Sequence, residues 1–374
     1  MEQLSRRLFL QVASATSLTA LAPKTLQADT RNKILPLVIF FQGGAQSPYE
    51  FVSPLVDSSK EIRGDGDIIT ASNGIPIDAR WTEFAKIANK TAVVRSLHSG
   101  NVNHDAQPVV GQPGTLGDKM ASGGIPHSLI ELPSTFSDIS KLKRNLGMDI
   151  RWNEDQKRFV PPEIATDERL EMRLKLLEKI DQPMPGHTAQ RMHANRELAA
   201  SLLTGGGGAL KTPFEKATKE RERYGNHPIG DACALASALA QSGAGVTLVY
   251  NEFGRGWDLH NNMQEGYDQI IPPTDKALAE LIMDARRHNF AVLMTSEHGR
   301  TPKINSSGGR DHFTTDYAVM AGGNIREDAV IGRVAKDGGI RDDEIKGDKL
   351  MATMLQACGL KAENPTLVES RLLN

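Results

Sequence analysis

Two cysteines in 374 residues, Cys233 and Cys358, cannot staple a chain of this length. Both fall in apolar, helix-like stretches, so buried free thiols are the expected state, although one disulfide between them stays open. Aromatic residues make up 5% of the chain, too few for a base-stacking or carbohydrate-platform surface. An excess of either charge is missing as well. The formal net charge is −2, which gives no basic field for nucleic acid. No internal repeat and no low-complexity tail is present. What remains is 39% hydrophobic and 24% charged, an ordinary globular composition with room for one large α/β domain or two small ones.

The first residues read MEQLSRRLFLQVASATSLTALAPKTLQADT. Arg6-Arg7 follow a serine and precede Leu8-Phe9-Leu10, and the weakly apolar run that ends at Ala22 is too short and too rich in Ser and Thr for a stable membrane span. Residues 1–28 therefore read as a twin-arginine export signal, with the translocation machinery as partner and a periplasmic or extracellular destination. Residues 29–374 are left for the fold.

LPLVIFFQ at 35–42 is a near-continuous apolar run ending in Gly43-Gly44, as in a strand buried on both faces of a parallel sheet. A helical stretch from Trp81 to Asn89 leads to a short strand, Thr91–Leu97. Residues 112–165 carry many Pro, Gly and Ser and read as loops with short elements. Residues 166–225 are charged and helical, an insertion or flanking layer, and His187 and His193 within it read as surface residues. After Gly230 the small-residue helix DACALASALAQSGAG, the strand VTLVYNE, the helix DKALAELIMDARRHN and the strands FAVLMTSE and TDYAVMAGG follow one another, and the helix DKLMATMLQACG closes the series. This alternation predicts a mostly parallel sheet with helices on both faces.

In such a sheet the strand C-termini share one edge, where ligands bind. Asp258 and His260 follow VTLVY, Glu297 and His298 follow FAVLMTS, and His104 and Asp105 lie in the loop after the strand at 91–97. His312, beside Asp311, precedes TDYAVMAGG, and the loop 299–314 could return it to the same edge. The Asp-x-His spacing at 258–260 lets alternate residues face one ion, and Gly299 lets the neighbours Glu297 and His298 turn toward a common site. Imidazoles and carboxylates that converge suit a divalent metal, zinc or manganese, with calcium also open. His98, His127, His227 and His288 lack such partners and read as structural.

KEIRGDGDIITASNGIPI, VVRSLHSGNVNHD, GWDLHNN and SEHGRTPKINSSGGRDHFTTDYAVMAGG, in that order along the chain, resemble the bacterial family called domain of unknown function 1501, a resemblance that covers roughly residues 34–360. That family is placed in the alkaline phosphatase and sulfatase superfamily. The resemblance implies an alkaline phosphatase-like α/β/α sandwich with a mixed, mostly parallel central sheet, and a metal site at the strand C-terminal edge. It implies one ion held by Asp258, His260 and His312, and a second by the pair Glu297-His298. Two positions depart from the pattern. Gln42 stands where the superfamily has an acid, with Ser47, Glu50 and Ser53 close behind it, and His104 stands nearest the place of a Ser, Thr or Cys nucleophile.

The expected function is an exported, metal-dependent hydrolase of phosphate or sulfate esters of small molecules or saccharides. Asp258, His260, Glu297, His298 and His312 are the expected ligands, with His104 as base or nucleophile and Asp105 beside it. Arg300 and Arg310, with Arg95 as a weaker candidate, would clamp the anion. No separate cofactor-binding residues are assigned. The alternatives are a non-catalytic metal-binding protein that keeps the fold, and a metal-dependent isomerase or mutase.

Overall fold

The computed structural model describes residues 34–64, 66–105, 107–111, 116, 120, 125, 127–134, 148–161, 208–254 and 256–374. The export signal at 1–28, the two charged helices expected within 166–207, and His187 and His193 lie outside them.

Nine strands form the backbone of one sheet: β1 Leu37–Gln42, β2 Ala92–His98, β3 Ser128–Glu131, β4 Met148–Asn153, β5 Arg158–Phe159, β6 Val246–Tyr250, β7 Ala291–Ser296, β8 Thr315–Gly322 and β9 Ala329–Ile331. Their spatial order is β9-β2-β8-β7-β1-β6-β3-β4-β5, and a tenth strand, β10 Ile345–Lys346, pairs with β2. The pairings of β1 with β6 and β7, of β3 with β4 and β6, and of β2 with β9 and β10 are parallel. Those of β8 with β2 and β7, and of β4 with β5, are antiparallel. The sheet is mixed and mostly parallel.

β1 shows why the parallel strands are apolar throughout. Val38 and Phe40 enter the core on one face, and Leu37, Ile39 and Phe41 enter the core on the other. Helices cover both faces. α1 Thr82–Ile87, α2 Gly208–Glu220, α3 Pro228–Gln241 and α4 Met263–His288 contribute to the first core, and α5 Gly347–Ala357 to the second. Among the described residues no helix is long and apolar enough to cross a membrane.

The sheet is mixed because β8 runs antiparallel to its neighbours: no helix separates it from β7, and the chain turns back at the edge it has just reached. β3 and β4 are short elements of the loop-rich stretch 112–165. SLIE and MDIRWN are short and half polar, but their pairing makes them part of the central sheet. The expected helical layer is described only at its end, where α2 packs on α3.

The geometry that matters for function is the shared edge. β1, β2, β6 and β7 all end there, and β8 starts there with Thr315 opposite His98. The loops from 43, 99, 251 and 297 onward therefore meet.

Candidate metal centre

In the loop after β6, Trp257 and Leu259 are buried in the core. Their alternation with Asp258 and His260 turns those two side chains outward together: Asp258 Oδ1 is 3.0 Å from His260 Nε2. Gly44, at φ +92°, makes room for the segment, since a Cβ there would sit 2.7 Å from the Asp258 backbone nitrogen.

His298 follows β7 and is fully buried. Gly299 behind it lies so close to β8 that a Cβ would meet the Thr315 carbonyl oxygen at 1.6 Å. His312 enters from the return of the same loop, where His312–Phe313 pairs with Gly299–Arg300. His104 comes from the loop after β2. A ligating atom from each of His104, His298 and His312 lies within 4.8 Å of the others, and the same holds for Asp258, His260 and His312. His312 belongs to both groups.

Each of the four imidazoles has one nitrogen fixed by an oxygen that can only accept. His298 Nδ1 donates to the Gly299 carbonyl at 2.8 Å, and His312 Nδ1 to the Val102 carbonyl at 2.6 Å. His260 Nδ1 donates to Asp311 Oδ1 at 3.0 Å, and His104 Nδ1 to Glu297 Oε1 at 2.8 Å. All four Nε2 atoms are left as lone-pair donors. His260 Nε2 and His312 Nε2 then face each other at 3.0 Å, a repulsive arrangement without a cation or proton between them. His298 Nε2 is buried with no partner.

The distances fit a divalent transition ion. Asp258 Oδ1, His260 Nε2 and His312 Nε2 are 3.0, 3.0 and 3.5 Å apart, against about 3.3 Å between ligands held at about 2.0 Å from a tetrahedral zinc. Asp258 pairs with the Arg300 guanidinium, while Glu297 and Asp311 each hold one imidazole of the cluster. Burial pushes His298 down to about 4, which keeps its lone pair available across the neutral range. Burial acts upward on Asp258, but its contacts with His312 and Arg300 hold it well below the usual carboxylate range. The hydrogen bond to Glu297 raises His104 against the effect of its burial.

Other expected residues are placed as follows. Glu297 Oε1 accepts from Gly44 N at 2.8 Å and from His104, so it orients an imidazole, and its Oε2 is buried without a partner. Asp105, half-buried, is outside the clusters. Gln42 Oε1 accepts from Asn251 Nδ2 at 2.7 Å and clasps the ends of β1 and β6. Ser47 Oγ accepts from Tyr49 N, and Arg95 Nε donates to Ser53 Oγ.

The two arginines expected on substrate are buried struts. Arg310 spends all five N–H groups inside the protein, on Glu50 and on the carbonyls of Ile62, Thr301 and Pro302. Arg300 is 1% exposed and donates to Asp258 Oδ1 at 2.6 Å and to the carbonyls of Ala45, Gly44 and Arg310. Its other contacts, Nη1 to His260 Nε2 at 3.3 Å and Nη2 to the Trp257 carbonyl at 3.5 Å, are long.

Asp311 is the residue that the sequence under-used. Next to His312 in an extended segment it faces the other way, which is how it reaches the far side of His260. Asn305 Nδ2 holds it at 3.2 Å. Carboxylate-to-imidazole support of this kind fixes the tautomer and raises ligand basicity. Of the histidines read as structural, His227 caps α3, His127 Nδ1 accepts from Val246 N, His98 Nδ1 accepts from Gly100 N, and His288 lies at the end of α4.

A search of curated proteins finds no match. Among solved structures, one titled "Crystal structure of Ps i-CgsB" is 7% identical with a TM-score of 0.37, over 88% of this chain and 73% of that one, a likeness too distant to bear on function. The model of the family described as protein of unknown function (DUF1501) matches residues 145–368, more than half of the chain, and the chain belongs to that family.

Proposed function

We propose that this chain is a metal-dependent hydrolase of phosphate or sulfate esters, of the alkaline phosphatase and sulfatase type, acting on a small-molecule or saccharide ester. The reading rests on one observation: four imidazoles have Nδ1 committed to acceptors, which leaves four Nε2 lone pairs beside Asp258 at the open edge of the sheet. An imidazole-rich set favours zinc, then manganese, over calcium, which prefers oxygen ligands. A divalent ion in such a setting polarises an ester oxygen and lowers the pKa of a neighbouring water.

The protein's own residues hold and aim. Asp258, His260, His298 and His312 supply donors, Arg300 braces Asp258, and Asp311 orients His260. The side chains of His104 and Asp311 are 43% and 58% exposed, so substrate has access from that side. A second reading, a non-catalytic metal-binding protein, is favoured by the commitment of Arg300 and Arg310 to internal partners, which leaves no guanidinium among them for an anion. Purified chain loaded with zinc or manganese should cleave an aryl phosphate or aryl sulfate. Bound metal with no cleavage across a broad ester panel would replace the hydrolase reading with the second one.

We also propose export through the twin-arginine pathway, on the strength of Arg6-Arg7 and the weakly apolar run behind them. Changing both arginines to lysine should leave the protein in the cytoplasm. Undiminished periplasmic recovery of that variant would reject the signal.

A further inference from the structure

We propose that His104 is a ligand of a single-ion centre, aimed by Glu297; the inference rests on the metal-dependent reading. A histidine at this place in the sequence invites the role of base or nucleophile. The geometry argues otherwise. Glu297 is 1% exposed and is itself fixed by the Gly44 N–H, so His104 Nδ1 is tied to a rigid point of the fold. The nitrogen left over is Nε2, and it lies 3.6 Å from Asp258 Oδ2, toward the donors and not away from them. The His104 ring centroid is 4.7 Å from that of His312 and 5.2 Å from that of His298. His298, whose buried Nε2 has no partner, belongs to the same group of three.

That the centre takes one ion follows from His312. Both donor groups include it, yet its Nδ1 is engaged with the Val102 carbonyl, so it has a single lone pair to give, to one ion. The 3.6 Å between His104 Nε2 and Asp258 Oδ2 joins the two groups across the same space. Asp258, His260, His298, His312 and His104 therefore form one set around one ion, with Glu297 behind His104 as Asp311 stands behind His260.

The test uses the purified chain, stripped with a chelator and titrated with Zn²⁺ against a chromophoric competitor, and with Co²⁺ followed by visible absorption. Wild type should bind one equivalent. His104→Ala and His104→Gln should each weaken Zn²⁺ binding by roughly 10²-fold and alter the Co²⁺ spectrum, and Glu297→Gln should weaken it by about 10–100-fold. Circular dichroism of the metal-free variants controls for folding, and His104→Gln, at a half-exposed position of similar size, is the variant least able to disturb it. Wild-type affinity and an unchanged Co²⁺ spectrum in both His104 variants would overturn the proposal, as would two tightly bound equivalents. A chain that binds no metal would overturn it together with the metal-dependent reading. Weakened metal binding in a chain that cleaves no ester would uphold it and reject hydrolysis alone.

Discussion

His312→Ala is expected to cost more metal affinity than any other single ligand change. It is the one donor common to both groups, and its loss leaves His260 Nε2 without the neighbour it faces at 3.0 Å. A site whose binding free energy of about 10–16 kcal/mol is shared among five ligands loses about 2–3 kcal/mol per ligand, roughly 30–150-fold in affinity, and the shared donor should lie at or above the upper end. Alanine restores neither the donor nor the preorganisation supplied by the Val102 carbonyl. Isothermal titration of stripped protein with Zn²⁺ gives the ratio directly, and ester cleavage at limiting metal should fall in parallel. A variant that keeps wild-type affinity would remove His312 from the centre, and with it the idea that one ion unites the two groups.

Much of this centre can be read from sequence because it depends on local rules. β1 and β7 are apolar runs that end abruptly in polar residues, which marks buried strands and their functional edge. Trp257-Asp258-Leu259-His260 alternates core and site residues, so the pairing of Asp258 with His260 is visible in four letters. What the sequence cannot display is tertiary commitment. Glu297 looks like a ligand beside His298, and nothing in the sequence shows that a backbone N–H 253 positions away and the His104 ring share its Oε1. Arg310 looks available to a substrate anion until Glu50, 260 positions away, is found against it. Nothing in the sequence marks the Val102 carbonyl that fixes His312, since backbone acceptors carry no side-chain signal. The place of β3 and β4 in the central sheet was hidden for a different reason. Four and six residues with polar interruptions fall below what periodicity resolves, and only the neighbouring strands make them part of the sheet.

The buried pair of Glu50 and Arg310 should dominate the stability of the same edge. Both side chains are almost completely excluded from water, at 3% and 0% exposure, and meet at 2.6 Å, with the Arg310 guanidinium also over the Tyr49 ring. Removing one partner leaves the other charge buried without compensation, at a cost of about 3–5 kcal/mol, whereas replacing both by apolar groups of similar volume avoids most of that penalty. Glu50→Leu alone and Arg310→Met alone are each expected to lose that amount in urea unfolding, and the double variant much less than the sum. The effect should reach the centre. Arg310 N donates to the Leu259 carbonyl at 3.2 Å, and Asn305 Nδ2 to the His260 carbonyl at 3.0 Å, so the loop that Arg310 anchors is also what holds Asp258, His260 and Asp311 in register. Arg310→Met should therefore weaken Zn²⁺ binding by about 10–100-fold although it touches no donor, in the way that loss of an outer-shell support does. Single variants that unfold within about 0.5 kcal/mol of wild type, or whose costs simply add in the double variant, would show that the pair is not coupled and that some other contact anchors the loop.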